Sequence, residues 1–194
     1  MIHETVVTTC SADGTPHIAP MGARLESGNV VLMPFTPSTT YDNIMASGCA
    51  VMNFTTDVRV FSGCVTGRRN WPTLPASTIP GVRLAGSLAH TELRLVEASG
   101  DPGRPVLTLR RVADATHAPF TGFNRAQAAV IEAAVLVSRL HLLPREKIDT
   151  EMAWLTIAID KTAGPAEREA WQWLTEATAA FYSHHERAAM REPT

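Results

Sequence analysis

The hydrophobic pattern of this chain changes period once, near residue 120, and that change limits the folds open to it. Before it, short runs rich in Val, Thr and Ile alternate with turn signals; after it, apolar residues recur at helical spacing. Strands gathered first and helices gathered afterwards predict an α+β fold, with no alternation of strand and helix. The predicted units are a β-barrel over 1–121 and a helical part over 122–194 that packs on the barrel.

ETVVTTC (4–10) reads as a strand, SADGTP (11–16) as a turn around Asp13-Gly14, and HIAPMGARL (17–25) as the return strand. Ser27-Gly28-Asn29 marks a second tight turn. VVLMPF (30–35) and AVMNF (50–54) are nearly continuous apolar runs, as expected of strands covered on both faces. Hairpin-linked antiparallel strands that close on themselves make a small barrel. A short helix over about 40–47 starts at Ser38, Thr39 and Thr40, carries Asp42 in its first turn and stops at Gly48. Residues 57–81, with Gly63, Gly67, Pro72, Pro75, Pro80 and Gly81, read as an irregular excursion with one helical turn around Arg59–Cys64. In LAGSLAHTELRLVEA (84–98), Ala89, Leu93 and Leu95 oppose His90, Glu92 and Arg94, the pattern of a half-exposed strand. PVLTLRRVADA (105–115) is its partner.

Beyond Thr121 three helices are expected, over 123–143, 145–162 and 166–190, with Pro144 and Gly164-Pro165 as breaks. The first is apolar around most of its circumference, which predicts burial. Its Glu132 and Arg139, seven positions apart, are expected to pair within a buried or interface setting.

Composition removes several functional classes. The 194 residues are 45% apolar and 19% charged, with a net charge of −2, so no basic field invites nucleic acid or an anionic membrane. No charge-free apolar run reaches the length of a membrane span, and MIHETVVTTC lacks the layout of a signal peptide. Cys10, Cys49 and Cys64 form neither a CxxC motif nor an even framework. A reduced cytoplasmic protein without a metal site is the expectation.

P-loop, Rossmann, nucleophile-elbow and HExxH signatures are missing. The strongest anion-site candidate is PFTPSTTYDN (34–43), which runs from a buried strand into a helix N-terminus. Free amides, the positive end of the helix dipole and the hydroxyls of Thr36, Ser38, Thr39 and Thr40 suit a phosphomonoester. Asp42 competes for the same amides, and an ordinary N-cap explains the same residues. His17, Pro20 and Gly22 lie on one strand, where Pro20 suggests an edge or bulge that a ligand could approach. Asn53, Thr55, Thr56 and Asp57 end a buried strand, as a ligand contact or as a simple turn.

ETVVTTCSADGTPHIAPMG (4–22), PFTPSTTYDNI (34–44), AVMNFTTDV (50–58) and FNRAQAAVIEAAVLVSRL (123–140) occur in the order and spacing of a domain-of-unknown-function family. Its members resemble the FMN-binding split barrels, the superfamily of flavin reductases and pyridoxamine-phosphate oxidases. The family occurs in archaea and methylotrophic bacteria, in association with one-carbon metabolism that uses tetrahydromethanopterin. The resemblance covers about residues 2–160. It implies an antiparallel, Greek-key-like split barrel with C-terminal helices, working as a homodimer with FMN between the subunits. By the same resemblance Ser38, Thr39, Thr40 and Asn43 would hold the phosphate, with Tyr41 nearby. His17 and the Pro20, Met21 and Gly22 backbone would line the flavin. Asn53, Phe54 and Thr55 would meet the isoalloxazine edge, and Asn124 and Arg125 would stand near the pocket. The implied activity is oxidoreduction of a small molecule; the alternative is a non-catalytic flavin or pterin carrier.

Overall fold

Each predicted turn closes a hairpin in the computed structural model, which describes residues 1–189. Strand β1 (Ile2–Cys10) turns at Gly14 (φ 84°) into β2 (Pro16–Glu26), with Asp13 Oδ1 accepting the Thr15 amide at 3.0 Å. Ser27 (φ 49°) and Gly28 (φ 84°) both take the left-handed conformation and lead into β3 (Asn29–Leu32). That is the twist a two-residue hairpin demands, and serine rarely adopts it alone.

The remaining barrel strands are β4 (Cys49–Phe54), β7 (Ala89–Asp101) and β8 (Arg104–Thr116). Between β4 and β7 lies a small hairpin, β5 (Thr73–Pro75) and β6 (Val82–Leu84). The barrel is antiparallel and closed in the order β1-β2-β3-β8-β7-β4. Its run β4-β1-β2-β3 is Greek-key order. Alternation along the strands sends Val7, Ala23, Val30, Leu32, Ala50, Met52, Leu93, Leu107 and Leu109 into one core. Helix α1 (Thr39–Ser47) adds Ile44 to that core and ends at Gly48, whose φ of 67° favours glycine.

The described residues form two compact units. The barrel unit holds 1–56 and 69–121; the helical unit holds 57–68 and the residues from 122 onward. The helical unit contains α2 (Arg59–Val65), α3 (Arg125–Val137), α4 (Arg145–Thr162) and α5 (Pro165–Ala189). Buried Ala126, Ala129, Val130, Ala133, Ala134 and Val137 line α3, which packs against α2, α4 and α5.

Several expectations need correction. The third strand stops at Leu32, and its predicted continuation through Phe35 lies outside the sheet. Helix α3 ends at Val137, not at 143, and turns fill 138–142 before Pro144. Arg139 therefore sits outside the helix; it and Glu132 are both exposed, and no ion pair joins them among the described residues. The strand expected over 84–98 runs from Ala89 to Asp101, and its polar positions His90 and Glu92 are buried. The excursion over 57–81 contains the expected helical turn as α2, but it also supplies the β5 strand, which was not expected. The last predicted helix reaches Ala189; its residue 190 lies outside the described residues.

The β5–β6 hairpin explains why His90 and Glu92 are buried. It lies as a strap along the outside of the barrel, with Ile79 packed on Cys49 and Val51. Glu92 Oε2 accepts the amides of Thr78 at 2.8 Å and Ile79 at 2.9 Å. Its Oε1 accepts the Ser77 amide at 2.6 Å and the Ser77 hydroxyl at 2.7 Å. A side chain with 0% exposure thus keeps its charge by binding the strap's backbone.

Candidate functional site

Most of the predicted site residues of the barrel unit fall on two structural features. The first is the N-terminus of α1. Ser38 is the N-cap, with its hydroxyl accepting the Tyr41 amide at 3.3 Å and its carbonyl accepting the Asp42 amide at 3.0 Å. The amides of Thr39 and Thr40 have no partner among the described residues. Thr39 is exposed and Thr40 is buried. Ser38 is therefore a cap and also a site candidate, and both readings apply to the same residues. Asp42 is exposed in the first turn.

The second feature is the first half of β2. Residues 16–22 pair with β1 alone, because β3 pairs with β2 only over Ala23–Glu26. Pro20, which has no amide hydrogen, sits on this half-paired stretch opposite Val6. Met21 and Gly22 follow it, the Met21 carbonyl accepting the Thr5 hydroxyl at 2.8 Å. A side chain on Gly22 would meet Ile2 Cγ2 at 2.8 Å, because the Ile2 side chain lies over this position.

Thr9 joins the two features. The Asn43 amide group donates to Thr9 Oγ1 at 3.0 Å, and Thr9 is the cross-strand neighbour of His17. Burial, and then the charge of Arg69, holds the His17 imidazole below its usual pKa, which favours its neutral form. Met21, Tyr41 and Phe54 all pack against the same core cluster. Thr9 thus links Asn43 on α1 to the strand paired with His17.

Asn53 has a different role in the fold. It is fully buried; its Nδ2 donates to the Val6 carbonyl at 3.0 Å and to Thr8 Oγ1 at 3.2 Å, and its Oδ1 accepts the Leu84 amide at 2.8 Å. Its amide group serves the strap, and Thr8 completes the same tie by donating to the Val82 carbonyl. Thr55 follows β4 and is half-buried. Asn124 and Arg125 belong to the helical unit. Asn124 caps α3, accepting the Ala126 amide at 2.8 Å and donating to the Thr162 carbonyl at 3.1 Å; Arg125 is exposed.

Glu92, like His90, is a residue that sequence reasoning assigned to the wrong surface. Burial alone would raise its pKa, but the bonds from Ser77, Thr78 and His90 outweigh this and hold it at about 2. No local signal reveals it, because a polar residue at alternate strand positions normally marks solvent. Among the described residues no cluster of His, Cys, Asp or Glu could hold a metal ion, and no helix is long and apolar enough to cross a membrane.

A closed six-strand antiparallel barrel with helices after it is the fold of the FMN-binding split barrels. Within that class the chain belongs to the family described as "Protein of unknown function (DUF447)". The N-terminal domain of that family matches residues 3–118, and its second part matches residues 124–176. An FMN-bound protein of this family from Methanosarcina mazei superposes with a TM-score of 0.78 at 20% identity, over 91% of this chain and 94% of that one. The 2-nitrobenzoate 2-nitroreductase of Pseudomonas fluorescens superposes at 0.51 and 19% identity, over 59% of this chain and 64% of the other. A putative flavin reductase with a split barrel domain from Shewanella frigidimarina gives 0.52 and 13%, over 59% and 66%. No curated protein matches the chain.

Proposed function

We propose that this chain is an FMN-binding flavoprotein that oxidises or reduces a small molecule, and that it works as a homodimer with the flavin between subunits. The observation that carries this reading is the pair of unpartnered amides, Thr39 and Thr40, at the start of α1. Amides at a helix N-terminus, beside the Thr39 hydroxyl, meet the needs of a phosphomonoester. The FMN bound by the family relative from Methanosarcina mazei carries such a group.

In this reading Thr39 and Thr40 bind the phosphate through their amides and hydroxyls, and Ser38 fixes the turn that aims them. Asn43 orients β1 through Thr9. His17 and the backbone of Pro20, Met21 and Gly22 line the ring, with neutral His17 adding no charge to it. Phe54 supplies apolar surface, and Asn53 and Thr55 shape the strand end beside it. The family resemblance implies that Asn124 and Arg125 would reach the flavin from the partner subunit. Bound flavin would supply hydride chemistry, while the chain binds, orients and excludes water. The resemblance to a family associated with tetrahydromethanopterin makes a pterin the first substrate to try.

The test is uptake of FMN by the purified chain, followed by flavin fluorescence. Quenching at a stoichiometry of one flavin per chain is expected; unquenched fluorescence overturns the reading. Anaerobic mixing of the loaded protein with NADH, NADPH and reduced pterins then separates an oxidoreductase from a carrier. A carrier leaves the flavin no more readily reduced than free FMN.

A further inference from the structure

Glu92 holds more than the strap. His90 Nε2 lies 3.3 Å from Glu92 Oε1, and His90 Nδ1 lies 2.9 Å from His117 Nε2. The two rings are nearly parallel, with an interplanar angle of 5°. Glu92 and His90 are buried, at 0% and 4% exposure, whereas His117 is exposed. We propose that Glu92, His90 and His117 form a carboxylate-backed proton relay, and that its open end, His117 Nδ1, is an acid–base site for a weakly acidic small molecule bound against this end of the barrel.

The direction of the relay follows from its buried end. Glu92 is ionised and acceptor-only, since three backbone amides and a hydroxyl already donate to it. His90 must therefore present Nε2–H to it. His90 Nδ1 is then an acceptor, so His117 must donate from Nε2. The one lone pair left is on His117 Nδ1, which has no partner among the described residues. When a bound molecule gives up a proton, an N–H bond forms at Nδ1 and the Nε2 proton shifts towards His90. The imidazolium charge then faces the Glu92 carboxylate; no electron moves, and the reverse step returns the proton.

The charged groups around the relay are Arg83 on β6, Glu92 on β7, and Asp114 on β8, which is paired with Arg111 at 2.8 Å. Burial, Arg83 and His90 together keep His117 below its usual pKa, so the resting ring is neutral and able to accept. Its place in the barrel is fixed by two backbone bonds. The His117 amide donates to the Leu88 carbonyl at 2.7 Å, and the Leu88 amide donates to the Phe54 carbonyl at 2.8 Å. The relay stands whether or not the chain binds FMN.

Long-range proton–nitrogen NMR of the full chain, labelled at histidine, tests the relay directly. Above the titration range, Nε2–H tautomers are expected at both His90 and His117; an Nδ1–H tautomer at His117 overturns the proposal. Glu92→Gln is expected to lower the His117 midpoint by roughly half a pH unit or more, and an unchanged midpoint overturns it. Should that variant fail to fold, the native tautomers still decide. Carbethoxylation read by mass spectrometry separates acid–base function from a structural role. His117 should react about fivefold faster than exposed His141, because an adjacent base activates the attacking atom. Equal rates overturn the proposal.

Discussion

Asn53 Oδ1 accepts the Leu84 amide at 2.8 Å while the Nδ2 of the same side chain donates to the Val6 carbonyl at 3.0 Å. One buried side chain therefore fastens β6 to the barrel and spans the β1–β4 seam. Replacing Asn53 with Leu leaves the Leu84 amide and the Val6 carbonyl's extra bond unmade in a dry setting. Each lost bond to a buried partner costs about 1–3 kcal/mol. A destabilisation of roughly 2–4 kcal/mol in urea unfolding is expected.

Glu92 ties strap stability to pH. Its folded pKa, about 2, lies below the ordinary carboxylate value of 4.5. The folded state therefore binds the proton more weakly than the unfolded chain does, so stability rises with pH across this interval. The contribution is complete above pH 4.5 and is lost as pH falls towards 2. Amide exchange at Ser77, Thr78 and Ile79 is expected to accelerate across that window. In Glu92→Gln it should already be fast at neutral pH.

At the start of α1, Thr39→Val combined with Thr40→Val is expected to weaken FMN binding by tenfold or more. Charge-assisted hydrogen bonds contribute roughly 1.5–3 kcal/mol each. Ser38→Ala removes the cap acceptor for Tyr41, at a cost of about 1 kcal/mol of stability. Fluorescence titration reads the first effect and urea unfolding the second. Unchanged affinity in the double variant would show that neither hydroxyl binds the phosphate.

Asn124→Ala is expected to destabilise the helical unit by about 1–2 kcal/mol, because it removes the α3 cap and the bond to the Thr162 carbonyl. Arg125→Ala, at an exposed position, should leave stability within about 0.5 kcal/mol. If Arg125 stands near the flavin, that variant will still change FMN affinity, which separates the two neighbours' roles.

The barrel strands were legible because alternation and turn chemistry are local. Asp13-Gly14 and Ser27-Gly28 announce hairpins that the register confirms. The strap was not legible, because its bonds link residues far apart: Thr8 with Val82, Asn53 with Leu84, Glu92 with Ser77. Glu92 and His90 obeyed the alternation rule; the strap buried them afterwards. Helix α3 looked longer than it is because 138–143 contains no Gly or Pro, yet its chain turns ahead of Pro144. The α1 start was legible as a cap, and the cap geometry is present. That Asn43 reaches Thr9 required the tertiary fold.

The path of the backbone limits how this molecule can be cut. It leaves the barrel unit after residue 56, returns at 69 and leaves again after 121. A fragment ending at residue 121 would carry α2 without α3 and α5, exposing the apolar side of Val60, Phe61 and Cys64 to water. The barrel should thus be obtainable in isolation only with residues 57–68 excised and bridged. Conversely, two separately expressed pieces divided at 121 should seek each other out, with α2 as the handle by which they reassemble.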